Sequence, residues 1–164
     1  MGKYSANVPT FTTEAVADTT SFTDAKYIAV QGGAGTARVA VSEVYIGGQA
    51  TSSAPQYILV ARSSTIGATS LSGVRTAALD AAGLGQTSPT VAFSTSTTKP
   101  QRSATLSLLN LTFNAFGGIV RWVAAPGSEI YIVGNTASLG ELTVSGFTGT
   151  TAGLVGAHVI YEQA

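Results

Sequence analysis

The residues that could support catalysis are few and widely spaced. His158 is the single histidine, and Glu162 follows four positions later. In the extended strand predicted here, these two side chains share a face, but their backbone positions lie about 13 Å apart, too far for a catalytic dyad. We expect His158 to point outward as a surface or interface residue, because the alternate positions form an apolar inward face: Val155, Ala157, Val159 and Tyr161.

The other reactive residue types show no catalytic or metal-binding pattern. The eight carboxylates are scattered, with no calcium-loop spacing and no pair close in sequence. A glycosidase-type pair could still form in space, since separation along the chain does not fix that distance. The absence of cysteine excludes disulfides, thiolate nucleophiles and cysteine-based zinc sites. The sequence therefore predicts a protein that is not an enzyme and has no cofactor, metal site or small-molecule substrate.

A few aromatic and charged residues are candidates for contacts with other proteins. Arg121 and Trp122 are adjacent in a predicted strand, so we expect Trp122 in the core and Arg121 outward, able to pair with an acid across a subunit boundary. Phe113 and Phe116 flank a turn, and this apolar tip either folds back as a lid or inserts into a neighbour. The predicted interface residues are Phe11, Phe113, Phe116, Arg121 and His158.

The elements that position these residues are predicted to be strands. Short apolar runs alternate with clusters of Gly, Pro, Ser and Thr, which is typical of a β-sandwich or barrel. One or two helical turns are predicted at residues 74–82, which are Ala-rich and stop at Gly83, inside a long loop over residues 63–89. The nine predicted strands are 26–31, 37–46, 56–62, 90–94, 104–113, 119–125, 129–133, 141–147 and 154–162.

Composition favours association with other proteins. Only 10% of residues are charged, against roughly 25% in an ordinary soluble domain, and eight basic residues balance eight acidic ones. Zero net charge without basic clusters argues against nucleic acid or a membrane surface as the partner. The first twenty residues do not resemble a signal peptide, and no apolar run approaches the roughly 20 residues of a membrane helix. We expect one domain, residues 25–164, after a polar N-terminal arm, residues 1–24.

Several predicted strands are apolar on both faces. Ile119 and Val123 oppose Val120 and Trp122 along one strand. One face of a sandwich sheet meets the other sheet, so a second apolar face needs another cover. A neighbouring subunit is the expected cover. The alternative is cover within the chain by the long loop and the N-terminal arm.

The C-terminal part of the chain resembles virion proteins of tailed bacteriophages. The likeness is carried by KPQRS at 99–103, LNLTFNAFGGIVRW at 109–122, APG at 125–127, SGFTG at 145–149 and HVIYE at 158–162. The opening, YSA at 4–6 and the strands that follow, is similar only loosely. The resemblance lies in the general character of the sequence and in these short strings, and it includes no diagnostic chemical motif.

The resemblance implies an all-β jelly roll, an antiparallel β-sandwich of about eight to nine strands. Its function would be capsid decoration: a homotrimer on the capsid exterior, made in the host cytoplasm, that stabilises the head by bridging major capsid proteins. In such proteins an N-terminal arm often reaches a neighbour or the capsid, and residues 1–24 are the candidate here. Two other hypotheses remain open, namely a head-fibre or tail module that binds a host glycan, and a virion-associated glycan hydrolase.

Overall fold

A computed structural model describes residues 3–12, 27–32, 38–67, 75–79, 91–93, 100–134, 140–147 and 153–163. Within these ranges the chain forms strands and no helix. The same ranges contain no helix long and apolar enough to cross a membrane. The strands are β1 Lys3–Thr12, β2 Tyr27–Gln31, β3 Arg38–Gly48, β4 Pro55–Thr65, β5 Arg75–Ala78, β6 Val91–Phe93, β7 Gln101–Asn114, β8 Ile119–Val123, β9 Ile130–Val133, β10 Glu141–Phe147 and β11 Leu154–Gln163.

The strands form two antiparallel sheets with jelly-roll connectivity. Sheet A has the order β5-β1-β11-β3-β8, with β9 also paired to β3, and sheet B has the order β6-β2-β10-β4-β7. Strands β8 and β9 pair with successive parts of β3 and so occupy one position at the edge of sheet A. Without the short edge strands β5 and β6, the four-strand orders are 1-11-3-8 and 2-10-4-7. The chain thus crosses repeatedly between the sheets, which is the jelly-roll arrangement that the resemblance implied.

The core lies between the two sheets and is built by the period-two alternation of their strands. In β11 the four residues predicted to face inward are buried, and Tyr161 is the largest fully buried side chain among the described residues. Partly buried side chains, Trp122 among them, pack around this centre. Other fully buried large side chains come from both sheets: Ile28, Ile46, Ile58, Ile132 and Leu142.

The nine predicted strands are confirmed, with ends displaced by a few residues, but the predicted helix is wrong. The segment predicted as helical contains β5, which pairs with β1 from Asn7↔Arg75 to Tyr4↔Ala78. A short Ala-rich segment gains little from helix propensity because helix nucleation is costly, whereas pairing with a strand satisfies its backbone at once. The predicted long loop is also shortened at its start, since β4 continues to Thr65.

Ten of the 24 residues of the predicted N-terminal arm are part of sheet A. Lys3–Thr12 forms β1, which pairs with β11 on one side and β5 on the other. A strand between two others is integral to its sheet, so this segment is not a detached extension. Residues 13–24 of the predicted arm lie outside the described residues.

Sheet B is buried on both faces at its central strand β10 but not at its edge strand β7. In β10, Leu142 and Val144 face the core, and the alternate residues Glu141, Thr143 and Ser145 are fully buried as well. The hydroxyls of Thr143 and Ser145 donate to main-chain carbonyls of the neighbouring β4, which satisfies their polar groups away from water. The alternative of cover within the chain therefore holds at β10, whereas the outward side chains of β7 remain exposed.

The turn between β7 and β8 crosses from sheet B to sheet A and is fixed by close backbone packing. Gly48 at the end of β3 donates its N–H to Gly118 in this turn at 2.8 Å. A Cβ atom at Gly48 would collide with the main chain of Ala115, which is itself buried. A Cβ atom at Gly47 would instead make ordinary contact, 3.6 Å from the Tyr45 ring.

These two glycines give a matched test of the turn. We expect Gly48→Ala to lower the free energy of unfolding by about 2 kcal/mol or more, because backbone has to move to make room. Gly47→Ala serves as the control and should change it by less than about 0.5 kcal/mol. Urea unfolding followed by fluorescence measures both, and equal effects of the two substitutions would contradict the packing described.

Candidate assembly face of sheet A

The outer face of sheet A, turned away from the core, brings together side chains from β3, β8 and β11. Directly opposite residues of antiparallel strands point to the same side. In the row through Tyr45, His158 of β11 lies on one side and Arg121 of β8 on the other. In the next row, Glu43 lies between Ile160 and Val123. A bulge in β3 near Ser42 determines that Glu43 and Tyr45 face outward, because the register with β11 shifts there.

Glu43 holds the centre of this face through contacts to both flanking strands. Its Oε1 and Oε2 accept hydrogen bonds from Arg121 Nε at 2.9 Å and Nη2 at 2.8 Å, a bidentate pair. Its Oε1 also lies 3.3 Å from His158 Nε2. The His158 ring stacks on Tyr45, with centroids 4.9 Å apart and planes 8° from parallel. These four residues form what we call the Glu43 cluster.

The charges of the Glu43 cluster are paired before any partner arrives. The Arg121 guanidinium holds the pKa of the Glu43 carboxyl below its ordinary value, and the His158 contact acts in the same direction against the opposing effect of burial. The same ion pair raises the pKa of Arg121. A paired, hydrogen-bonded charge costs less to cover than an isolated one, so this cluster can be buried under a partner without a new counter-ion.

Apolar side chains surround the cluster and remain open to solvent. Ile119 is 64% exposed and Val123 is 54% exposed, on either side of Arg121 along β8. Tyr131 and Val133 of β9 continue this surface along the same edge of β3 and are exposed too. Within the part of the chain that the structure describes, these apolar side chains of the outer face of sheet A have no cover.

The structure places the five predicted interface residues in different surroundings. Arg121 and His158 belong to the Glu43 cluster. Phe113 is partly buried against the core, whereas Phe116 is 59% exposed at the tip of the β7–β8 turn. Phe11 lies in β1 opposite Val155 of β11. The role of all five residues in an interface stays a prediction.

Sequence reasoning missed Glu43 and Tyr45. His158 was compared with Glu162 on its own strand, but its carboxylate partner comes from β3, 115 positions away. A signal was available, because Glu43 and Tyr45 alternate with Val44 and Ile46 and therefore share the outward face. The order of the strands in the sheet decides which acid lies beside which base. The local sequence pattern does not predict that order.

A second polar cluster lies buried at the end of sheet B. The fully buried carboxylate of Glu141 accepts hydrogen bonds from Ser63 Oγ at 2.5 Å, Gln31 Nε2 at 2.7 Å and Gly67 N–H at 3.2 Å. Burial raises the pKa of Glu141, and the three donors oppose that shift in part. Within the described ranges, no group of three or more His, Asp or Glu side chains is placed to hold a metal ion.

Comparison with known proteins gives only distant structural similarity. No protein-family model matches the sequence, and no curated protein matches it. Among solved structures, the chain is similar to a decameric BFDV capsid protein, with 10% identity and a TM-score of 0.29 over 99% of both chains. It is also similar to a chain in the broad bean stain virus structure, with 11% identity and a TM-score of 0.25 over 100% of this chain and 88% of that one.

The two carboxylates predict opposite pH profiles of stability. Glu43 has a lowered pKa when folded, so its contribution is present above the ordinary carboxyl pKa of about 4.3 and disappears as the pH falls through the lowered value. Glu141 has a raised pKa when folded, so it favours folding most at low pH and loses this effect as the pH rises.

Urea unfolding of wild type, Glu43→Gln and Glu141→Gln between about pH 3 and pH 8 tests both signs. The stability deficit of Glu43→Gln should shrink toward low pH. Glu141→Gln should gain on wild type as the pH rises, since an amide can donate to Ser63 and still accept from Gln31 and Gly67. Parallel profiles for all three proteins would contradict the assignments.

Proposed function

We propose that this protein is a structural component of a virion that decorates the exterior of a tailed-phage head and stabilises it by bridging major capsid proteins. The observation that carries the proposal is the outer face of sheet A. It combines exposed Ile119 and Val123 with a central charge cluster that is already paired. Such a face suits burial against another protein, where apolar contact stabilises the complex and unpaired charge opposes it.

The first partner of this face is a sister subunit. Zero net charge removes the self-repulsion that opposes association of identical chains. A homotrimer is the assembly implied by the resemblance of the C-terminal strings to phage virion proteins. The same resemblance implies the major capsid protein as the second partner, and several attachment points per trimer would give avidity on the capsid lattice.

The first experiment places a charge in the proposed interface. We expect Val123→Lys to weaken subunit association at least tenfold, because the added ammonium would be desolvated beside Glu43, whose two oxygens already accept from Arg121. Thr51→Lys, in the exposed β3–β4 loop, adds the same charge elsewhere and should leave association unchanged. Analytical ultracentrifugation measures the mass of both variants. A Val123→Lys protein that assembles like wild type would exclude this face.

The second experiment tests the capsid role. Heads that lack the protein are mixed with wild type, Val123→Lys or Thr51→Lys, and bound protein and the temperature of DNA release are measured. Wild type and Thr51→Lys should bind and raise that temperature, whereas Val123→Lys should bind more weakly as avidity falls. Failure of wild type to bind heads would reject the decoration role even if the trimer forms. Deleting residues 1–20 is unsuitable here because it removes β1 from sheet A.

A second candidate function, glycan binding by a head-fibre or tail module, is favoured by one observation. The stacked rings of Tyr45 and His158 lie beside the carboxylate of Glu43 and the guanidinium of Arg121. An aromatic surface beside hydrogen-bonding groups can hold a sugar ring. On an array of host-surface glycans, this function predicts binding by wild type that Tyr45→Ala abolishes, whereas the decoration role predicts no binding by either.

A further inference from the structure

The edge of β7 that faces away from β4 is distinct from the outer face of sheet A. Strand β7 ends sheet B, and β4 is its only strand partner among the described residues. It runs from Gln101 to Asn114, and its pairing with β4 is regular from Leu109 to Asn114, after register shifts in the earlier part of the strand. An exposed strand edge presents unpaired N–H and C=O groups and can pair with another strand.

The register identifies which backbone groups of β7 face away from β4. Ala115 N–H donates to the Ala54 carbonyl at 2.9 Å, so these two residues form a hydrogen-bonded pair. Gln56 and Phe113 are opposite each other two positions away on each strand, so they are a pair of the same kind. Hydrogen-bonded and non-hydrogen-bonded pairs alternate in an antiparallel ladder. The main-chain N–H and C=O groups of Asn110 and Thr112 therefore point away from β4, toward the edge of the sheet. The carbonyl of Asn114 points the same way but already accepts a hydrogen bond from Gly118 N–H at 2.9 Å.

From Ser103 onward, this edge lacks the residues that normally prevent strand pairing. Edge strands in soluble proteins commonly carry Lys, other charges or Pro that discourage association. Residues 103–120 contain no charged residue and no proline. The side chains of Asn110 and Thr112 are exposed and uncharged, so nothing in this stretch repels a second strand electrostatically.

We propose that a second copy of this chain occupies the β7 edge, in antiparallel register about a two-fold axis at Leu111. This register sets Asn110 opposite Thr112 of the second copy, so both residues use their outward main-chain groups and four hydrogen bonds form. On the core side, Leu111 meets its own copy and Leu109 meets Phe113, all partly buried apolar side chains. The surface is self-complementary, as a two-fold contact requires, and it joins the two five-stranded sheets into one.

This contact goes beyond the proposed function and does not depend on it. A trimer built through sheet A leaves β7 available, so a two-fold contact at β7 would join one trimer to another. A chain that never enters a virion could pair through β7 in the same way. Separate substitutions can therefore test the two surfaces.

Cysteine cross-linking tests the register, because the chain has no cysteine of its own. Asn110→Cys and Thr112→Cys chains, distinguished by tag length, are mixed and oxidised. Opposite hydrogen-bonded positions lie about 5.5 Å apart at Cα, within disulfide reach, whereas each position lies roughly 7–8 Å from its own copy. We expect the mixed disulfide to form several-fold faster than either self-disulfide. Self-disulfides that form as fast as the mixed one, or no cross-linking at all, would overturn the proposal.

A charge substitution gives the second readout. Thr112→Lys should prevent the β7 contact and reduce the assembled mass at micromolar concentration, whereas Gln101→Lys, at the far exposed end of the same strand, should not. Unchanged mass in Thr112→Lys would overturn the proposal. The mixed cross-link should persist in a Val123→Lys background, so that loss of the sheet A contact and loss of the β7 contact are distinguished.

Discussion

The constraint on which this structure depends is that each sheet has two faces and the core between the sheets covers only one of them. Sheet B meets this constraint at β10, where Thr143 and Ser145 are buried and their hydroxyls bond to β4. On sheet A, Ile119 and Val123 of β8 remain exposed on the outer face among the described residues. The two outer faces are therefore covered unequally, with polar buried residues at β10 and open apolar residues at β8.

The placement of polar groups follows the same asymmetry. Glu141 is fully buried at the end of sheet B, where its carboxylate accepts hydrogen bonds from Ser63, Gln31 and Gly67. Glu43 lies on the open sheet and is paired with Arg121, so the face carries charge without needing an external counter-ion. Pairing within the face lowers the cost of covering these charges.

Local pattern predicted the strands well but missed features that depend on pairing between distant segments. The alternation that buries Tyr161 and exposes His158 is visible in the sequence because β11 has an unbroken period of two. Strand β5 was predicted as helix because four small or polar residues beside β1 carry no strand pattern of their own. The partner of His158 was missed for a related reason, since Glu43 reaches it only through the pairing of β3 with β11.

In the proposed assembly, a sister chain covers the outer face of sheet A. Cryo-electron microscopy of the purified assembly, at a resolution that shows side chains, tests this arrangement most directly. We expect density from a neighbouring protomer over Ile119, Val123 and the Glu43 cluster. A map in which this face lies open to solvent in every protomer, with subunits joined elsewhere, would contradict it.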